Sequence, residues 1–146
     1  MVALLIPSEY GYVLGTATFS ALYLFFLGAK TGGARRAAGI PYPYMYAEKS
    51  EAEKDPKKNI FNCVQRVHQN TLEIFPVYQT LLLIGGLKYP EISSACGGIF
   101  LLGRMIYGNG YSTGDPSKRL RGSFAYLGLL GLLGTAGSTI YGLLKN

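Results

Sequence analysis

Tryptophan is absent from this 146-residue chain, histidine occurs once and cysteine twice. Each scarcity closes off a class of chemistry. The single histidine, His68, cannot build a multi-histidine metal site, and Cys63 with His68 is too small a ligand set for zinc. No metal is expected. Two cysteines cannot staple a disulfide-dense domain. Cys63 is expected near the cytoplasmic mouth of a second helix and Cys96 near the far end of a third, too far apart to be bridged. Acidic residues are also few, 8 against 14 Lys and Arg.

Uncharged runs take the place of those missing groups. Tyr10 to Ala29 is a 20-residue run without Asp, Glu, Lys or Arg, and Gly122 to Leu144 is a 23-residue one. A helix spanning a bilayer needs roughly 20 mostly apolar residues. Two further spans are interrupted by polar groups, Ile60 to Leu87 and Ile92 to Tyr111. The chain therefore reads as all-α, an integral-membrane four-helix bundle forming a single domain over residues 1–146. The start, MVALLIPSEY, has no basic residue and no small-residue cleavage site, so the first helix is expected to serve as an uncleaved insertion signal.

The net charge of +6 reports topology here. Lys30, Arg35, Arg36, Lys49, Lys54, Lys57 and Lys58 crowd the first loop, and Lys118, Arg119 and Arg121 the third. Only Lys88 and Lys145 lie on the other side. Positive loops stay in the cytoplasm, which puts both termini across the membrane. This asymmetry accounts for the basic residues, and no nucleic-acid partner is expected.

Helix boundaries follow from local signals. The first helix is expected from about Glu9 to Ala29, with Gly11 and Gly15 as a small-residue pair for close packing. The run EKSEAEKDPKK reads as a solvated loop. The second helix, Ile60 to Leu87, would be about 42 Å long at about 1.5 Å per residue, longer than a bilayer core of roughly 30 Å. Its polar first half can lie in the interface, and Pro76 should kink it. KYPE makes a tight turn into the third helix. Asp115 then Pro116 reads as an N-cap and first turn, so the fourth helix is expected from about Pro116. Gly128, Gly131, Gly134 and Gly137 mark that helix as a packing helix.

The chemistry sits where polar residues enter the second and third helices. Arg66, Asn70 and Glu73 fall at i, i+4 and i+7, on one helical face. Arg104, Tyr107 and Tyr111 fall at i, i+3 and i+7 on another. Such groups are costly at a bilayer edge and face a bundle interior, a wet cavity or a ligand. The set is mostly cationic, which suits a small anionic ligand with carboxylates and one ammonium for Glu73. Structural salt bridging of Arg66 and Glu73 accounts for the same residues about equally well. Tyr107 and Tyr111 also fit an interfacial aromatic belt, and Lys118, Arg119 and Arg121 fit the positive-inside bias alone. His68 lies about 200° from Arg66 around the helix, facing away from it.

The order RVHQNTLEIFP at 66–76, then GRMIYGNGY at 103–111, resembles the MAPEG family, the membrane-associated proteins of eicosanoid and glutathione metabolism. The likeness runs from EYGYVL at 9–14 through FNCVQRVHQNTLE to YSTGDPSKRLRG. It implies a homotrimer in the endoplasmic reticulum membrane, multi-pass, binding glutathione as co-substrate between subunits near the cytosolic face. It implies that Arg66, Asn70 and Glu73 hold the glutathione backbone, with His68 replacing a polar contact. Arg104, Tyr107 and Tyr111 would line the pocket from the neighbouring subunit. Arg119 matches the family's thiol-activating arginine, and Arg35 or Arg36 a basic residue closing over the tripeptide. The implied activity is that of a glutathione transferase and peroxidase acting on lipid hydroperoxides or other hydrophobic electrophiles. The competing reading is a non-enzymatic membrane lipid-binding scaffold. Ile74 stands where one branch of the family has tyrosine, and the loop from Tyr111 to Arg119 is one residue longer than in that branch. Lys118 and Arg121 are therefore also considered for contact with the thiol.

Overall fold

The computed structural model describes residues 6–145. The chain start, over which the insertion-signal reading partly rests, lies outside the described residues up to residue 5. The elements are α1 (Tyr10–Ala38), α2 (Lys49–Ala52), α3 (Pro56–Gly86), α4 (Pro90–Tyr111), a 3₁₀ segment (Pro116–Gly122) and α5 (Ala125–Lys145). The described residues are all-α. By length and composition α1 and α5 can cross a membrane, each with a mean hydropathy of 1.5 in its best window. α3, with its many polar residues, and α4, which carries Arg104, are also expected as spans but do not reach that level of apolarity.

Three boundaries differ from expectation, each for a local reason. α1 continues past Ala29 to Ala38, carrying Lys30, Arg35 and Arg36 on a helix instead of in a loop. It stops at Gly39, whose φ of +64° suits glycine. Gly39 N–H donates to Arg36 O and Ile40 N–H to Arg35 O, a Schellman ending that satisfies two terminal carbonyls. α3 begins at Pro56, after Asp55, whose carboxylate accepts from Lys57 N–H at 2.9 Å. It then runs unbroken through Pro76. The third difference matters most for function. Asp115 caps as expected, accepting from Ser117 N–H at 3.0 Å, but it caps the 3₁₀ segment. The fourth long helix begins only at Ala125.

Two compact units make up the chain. One comprises residues up to Ala21, Phe75–Leu101 and Phe124 onward. Within it, hydrogen bonds between hydroxyls and amides cross the helices, as in lipid-embedded packing. Thr16 and Ser94 share one at 2.6 Å, Gln79 donates to Ser20 Oγ at 3.1 Å, and Ser93 donates to Thr135 Oγ1 at 3.1 Å. These contacts are uncharged but polar. Tyr78 and Phe100 stack with centroids 4.5 Å apart, a contact worth about 0.5–1.5 kcal/mol beyond burial. Gly128 and Gly131 press on Cys96 and Phe100 of α4, whereas Gly134, Gly137, Gly11 and Gly15 face open space. Only part of the expected glycine packing is therefore realised within the chain.

The other unit comprises Leu22–Ile74 and Leu102–Ser123. A small cluster of Ala38, Ile40, Ala47 and Phe61 fastens the chain after α1 onto α3. Asn62 accepts from Ala47 N–H at 2.8 Å and donates to Ala47 O at 3.0 Å, clamping the end of the same stretch. Both cysteines are free.

Candidate active site

Every residue expected in the site lies in this second unit. α3 carries the first group. Arg66 donates to Glu73 Oε1 at 3.0 Å, and Asn70 donates to Glu73 Oε2 at 3.3 Å. The i, i+4, i+7 spacing thus becomes a chain of contacts. The Arg66 and Glu73 side chains are 42% and 49% exposed, so their ion pair contributes at most about 1 kcal/mol to stability.

α4 joins the network through Arg104. Its Nη2 donates to Asn70 Oδ1 at 3.0 Å and to Thr71 Oγ1 at 2.7 Å. The guanidinium lies 4.2 Å from the centroid of the Tyr107 ring, within cation–π range. Tyr111 meets Tyr107 edge-on at 5.7 Å. Tyr23 of α1 donates to Arg104 O at 3.3 Å. Arg104 is buried, and the two oxygens it meets on α3 are neutral. The resemblance put Arg104 in a neighbouring subunit from Asn70; here the two meet within one chain, because α3 and α4 turn polar faces toward each other.

Other expected residues divide. His68 packs toward α1, where a methyl group built on Gly28 would lie 3.6 Å from His68 Nε2. It does not join the Arg66–Glu73 network; its place at i+2 from Arg66 turns it to another face. Arg35 is buried, donates to Tyr44 O, and lies 4.6 Å and 4.9 Å from the Tyr42 and Phe61 ring centroids. It is committed to the connection after α1, while Arg36 is exposed. Of these two arginines, Arg36 alone is open to a ligand.

Lys118, Arg119 and Arg121 ride on the 3₁₀ segment. It lies along α4, with Lys118 against Gly110 and Gly122 against Gly103 and Tyr107. Any side chain at 122 would strike the Gly103 carbonyl, so glycine is required there by close approach. Lys118 is engaged, 3.6 Å from Asp115 and donating to Thr113 Oγ1 at 3.3 Å. Arg119 and Arg121 are exposed. Asp115 is held below the usual carboxylate range, first by the Ser117 hydroxyl and backbone N–H, then by Lys118.

Three residues were not anticipated. Thr71 receives Arg104 while donating to Val67 O at 2.8 Å. Gln69 and Tyr46 form a pair, the Tyr46 hydroxyl donating to Gln69 Oε1 at 2.7 Å. Gln69 lies at i+3 from Arg66 and i−4 from Glu73, so spacing alone could have placed it on that face. A cavity of about 470 Å³ is lined by Ala47, Lys49, Ala52, Glu53, Asn59 and Asn62, none of them in the network. Among the described residues no group of three or more His, Cys, Asp or Glu gathers where it could hold a metal.

A net-cationic cluster with neutral acceptors, aromatic faces and a nearby exposed arginine can bind carboxylates and stabilise a developing anion. The family model of MAPEG matches residues 13–141. Over 79 residues the sequence is 33% identical to human "Microsomal glutathione S-transferase 2". That match spans 53% of this chain and 53% of the relative, about half the length of each.

Proposed function

This chain belongs to the MAPEG family, and on that premise we propose that it is an integral-membrane glutathione transferase and peroxidase. Members of the family are membrane proteins and mostly glutathione-dependent enzymes. The observation that carries the reading is the continuous Arg66–Glu73–Asn70–Arg104 network, with Tyr107 beneath Arg104. It offers guanidiniums for carboxylates and a carboxylate for an ammonium, the groups glutathione presents. Motif order suggests the type 3 branch of the microsomal glutathione transferases, and with it lipid hydroperoxides as substrates. We place the protein in the endoplasmic reticulum membrane as a homotrimer, with the site facing the cytosol.

The chemistry is that of a thiolate. A free thiol near its ordinary pKa of about 8.5 is only a few per cent ionised at neutral pH. Lowering that value by two units requires about 2.7 kcal/mol. Arg119 is assigned this task. Lys118 is tied to Asp115 and Thr113. In a 3₁₀ turn residues three apart eclipse, so Arg119 shares the face of Gly122, which abuts Tyr107. A helix dipole does not assist, because α5 starts six residues further on; the guanidinium must do it by charge-assisted hydrogen bonding.

With an epoxide or aryl halide, sulfur forms the new bond to carbon and the alkoxide or halide leaves. With a hydroperoxide, sulfur attacks the distal oxygen and the O–O bond breaks. The alkoxide takes a proton to become the alcohol, and glutathione is oxidised to its sulfenic acid. A second glutathione then displaces water to give the disulfide. The test is titration of the purified, detergent-solubilised protein with glutathione while following ultraviolet thiolate absorbance. Saturable binding with a thiolate band is expected. Lipid binding without either would favour the non-enzymatic scaffold.

A further inference from the structure

We infer that Tyr46 is a specificity-determining contact of the site on α3, donating its hydroxyl to a ligand carboxylate. The inference rests on the glutathione-site reading above. It comes from a hydrogen bond that the fold does not need. The stretch from Ile40 to Ala47 is already fixed at both ends. Ile40 and Ala47 are buried in the cluster with Ala38 and Phe61. Arg35 holds Tyr44 O, and Asn62 clamps both polar groups of Ala47. With those anchors in place, the Tyr46–Gln69 bond adds little holding power, and it is exposed.

Its position is what gives it a use. Gln69 stands between Arg66 and Glu73 on one face of α3, so the Tyr46 hydroxyl ends beside the carboxylate-binding network. Gln69 follows Arg66 by three residues on α3, so the Tyr46 phenol bound to it reaches the helical face that carries the Arg66 guanidinium. Tyr46 thus brings a third chain segment, after α3 and α4, to the same face. An exposed bond between a phenol and an amide oxygen is a weak one, whereas a phenol donating to an ionised carboxylate forms a stronger, charge-assisted bond. A carboxylate drawn in by Arg66 therefore takes the Tyr46 hydroxyl from Gln69. The Gln69 amide oxygen is then open to the ligand's own N–H groups.

The test compares Tyr46→Phe with wild type and with Tyr44→Phe, a control two residues away in the same loop whose side chain is more exposed. Titration of the full-length protein in detergent should show glutathione binding about 3- to 10-fold weaker in Tyr46→Phe. Turnover at saturating glutathione should stay within about twofold, so the loss falls on KM. Two analogues locate the carboxylate, one esterified at the glycine carboxyl and one lacking the γ-glutamyl α-carboxyl. The Tyr46→Phe penalty should vanish with one analogue and persist with the other. An equal penalty with both, a matching loss in Tyr44→Phe, or unchanged affinity would overturn the inference while leaving glutathione binding by the wild type intact. Wild-type protein that does not bind glutathione would overturn this inference and the parent reading together.

Discussion

Arg104 on α4 donates to Asn70 Oδ1 on α3 at 3.0 Å, so two helices that each display a polar face share one hydrogen-bonded seam. The bond joins a buried cation to the same amide that donates to Glu73. Asn70 therefore works in both directions, as acceptor for one arginine's helix and donor to the other arginine's carboxylate.

Coupling between these two residues is the first expectation. Hydrogen bonds to charged groups contribute about 1.5–3 kcal/mol. In a double-mutant cycle of Arg104→Ala and Asn70→Ala, unfolding in detergent should give a coupling of about 1 kcal/mol or more. Additivity within about 0.5 kcal/mol would mean that the two side chains act independently.

Arg66 separates binding from stability. Its ion pair with Glu73 is about half exposed, so Arg66→Ala should change stability by less than about 1 kcal/mol. If Arg66 meets a ligand carboxylate in a desolvated site, the same change should weaken glutathione binding by about 2 kcal/mol or more. Intact protein with unchanged affinity would remove Arg66 from the site.

How far the sequence could be read depended on the range of the signal. The Arg66, Asn70 and Glu73 face was legible because helical spacing is local, and the structure turns it into contacts. Asp115–Pro116 was legible as a cap, but not which helix it would open. A 3₁₀ segment and an α-helix start with the same residues, and the close approach of Gly122 to Gly103 is a tertiary fact. The end of α1 was misplaced because Lys30 looked like a boundary, although Gly39–Ile40–Pro41 carries the Schellman signal that stops the helix. Arg35 was legible as a basic residue but not as a buried one, since its place beneath Tyr42 depends on the path of the following loop. Tyr46 lies 23 residues from Gln69, and no periodicity connects them.

Acid should act on the turn that carries the arginines. The Asp115 carboxyl is held below its ordinary value by Ser117 and Lys118. A carboxyl depressed on folding adds stability above its unfolded pKa of about 3.9, and that stability is lost as pH falls through the lower folded value. The nuclear magnetic resonance titration of the Asp115 side chain should therefore have its midpoint below about 3.9. Ser117→Ala should move it upward, and no movement would show that the Ser117 hydroxyl is not the main cause.

Subunit sharing has its own test. Arg104 and Asn70 meet in one chain, so any sharing must involve groups outside that pair. If glutathione binds between subunits, with Arg66 from one and Arg119 from the next, mixing Arg66→Ala and Arg119→Ala subunits should restore part of the activity. Mixed oligomers, verified by two affinity tags, that show no recovery would place the whole site within one chain.

Arg119 carries the sharpest expectation, because the 3₁₀ segment offers three cations for one task. Lys118 is occupied with Asp115 and Thr113. Arg121 eclipses Lys118 in a three-residue turn, whereas Arg119 eclipses Gly122, which rests on Tyr107. Without a helix dipole behind it, the guanidinium must stabilise the sulfur anion alone. On the proposed reading, affinity for the tripeptide would rest mainly on Arg66, Asn70, Glu73 and Arg104. Arg119→Ala should thus abolish the thiolate absorbance and lower turnover on the order of 100-fold, with glutathione affinity changed by no more than about threefold. Arg119→Lys should recover only part of the rate, since an ammonium lacks the planar fork. Lys118→Ala and Arg121→Ala should be far milder. A large loss in Arg121→Ala with Arg119→Ala nearly silent would shift the assignment by two positions. Normal thiolate formation in all three variants would end the arginine-activation mechanism and favour the lipid-binding scaffold.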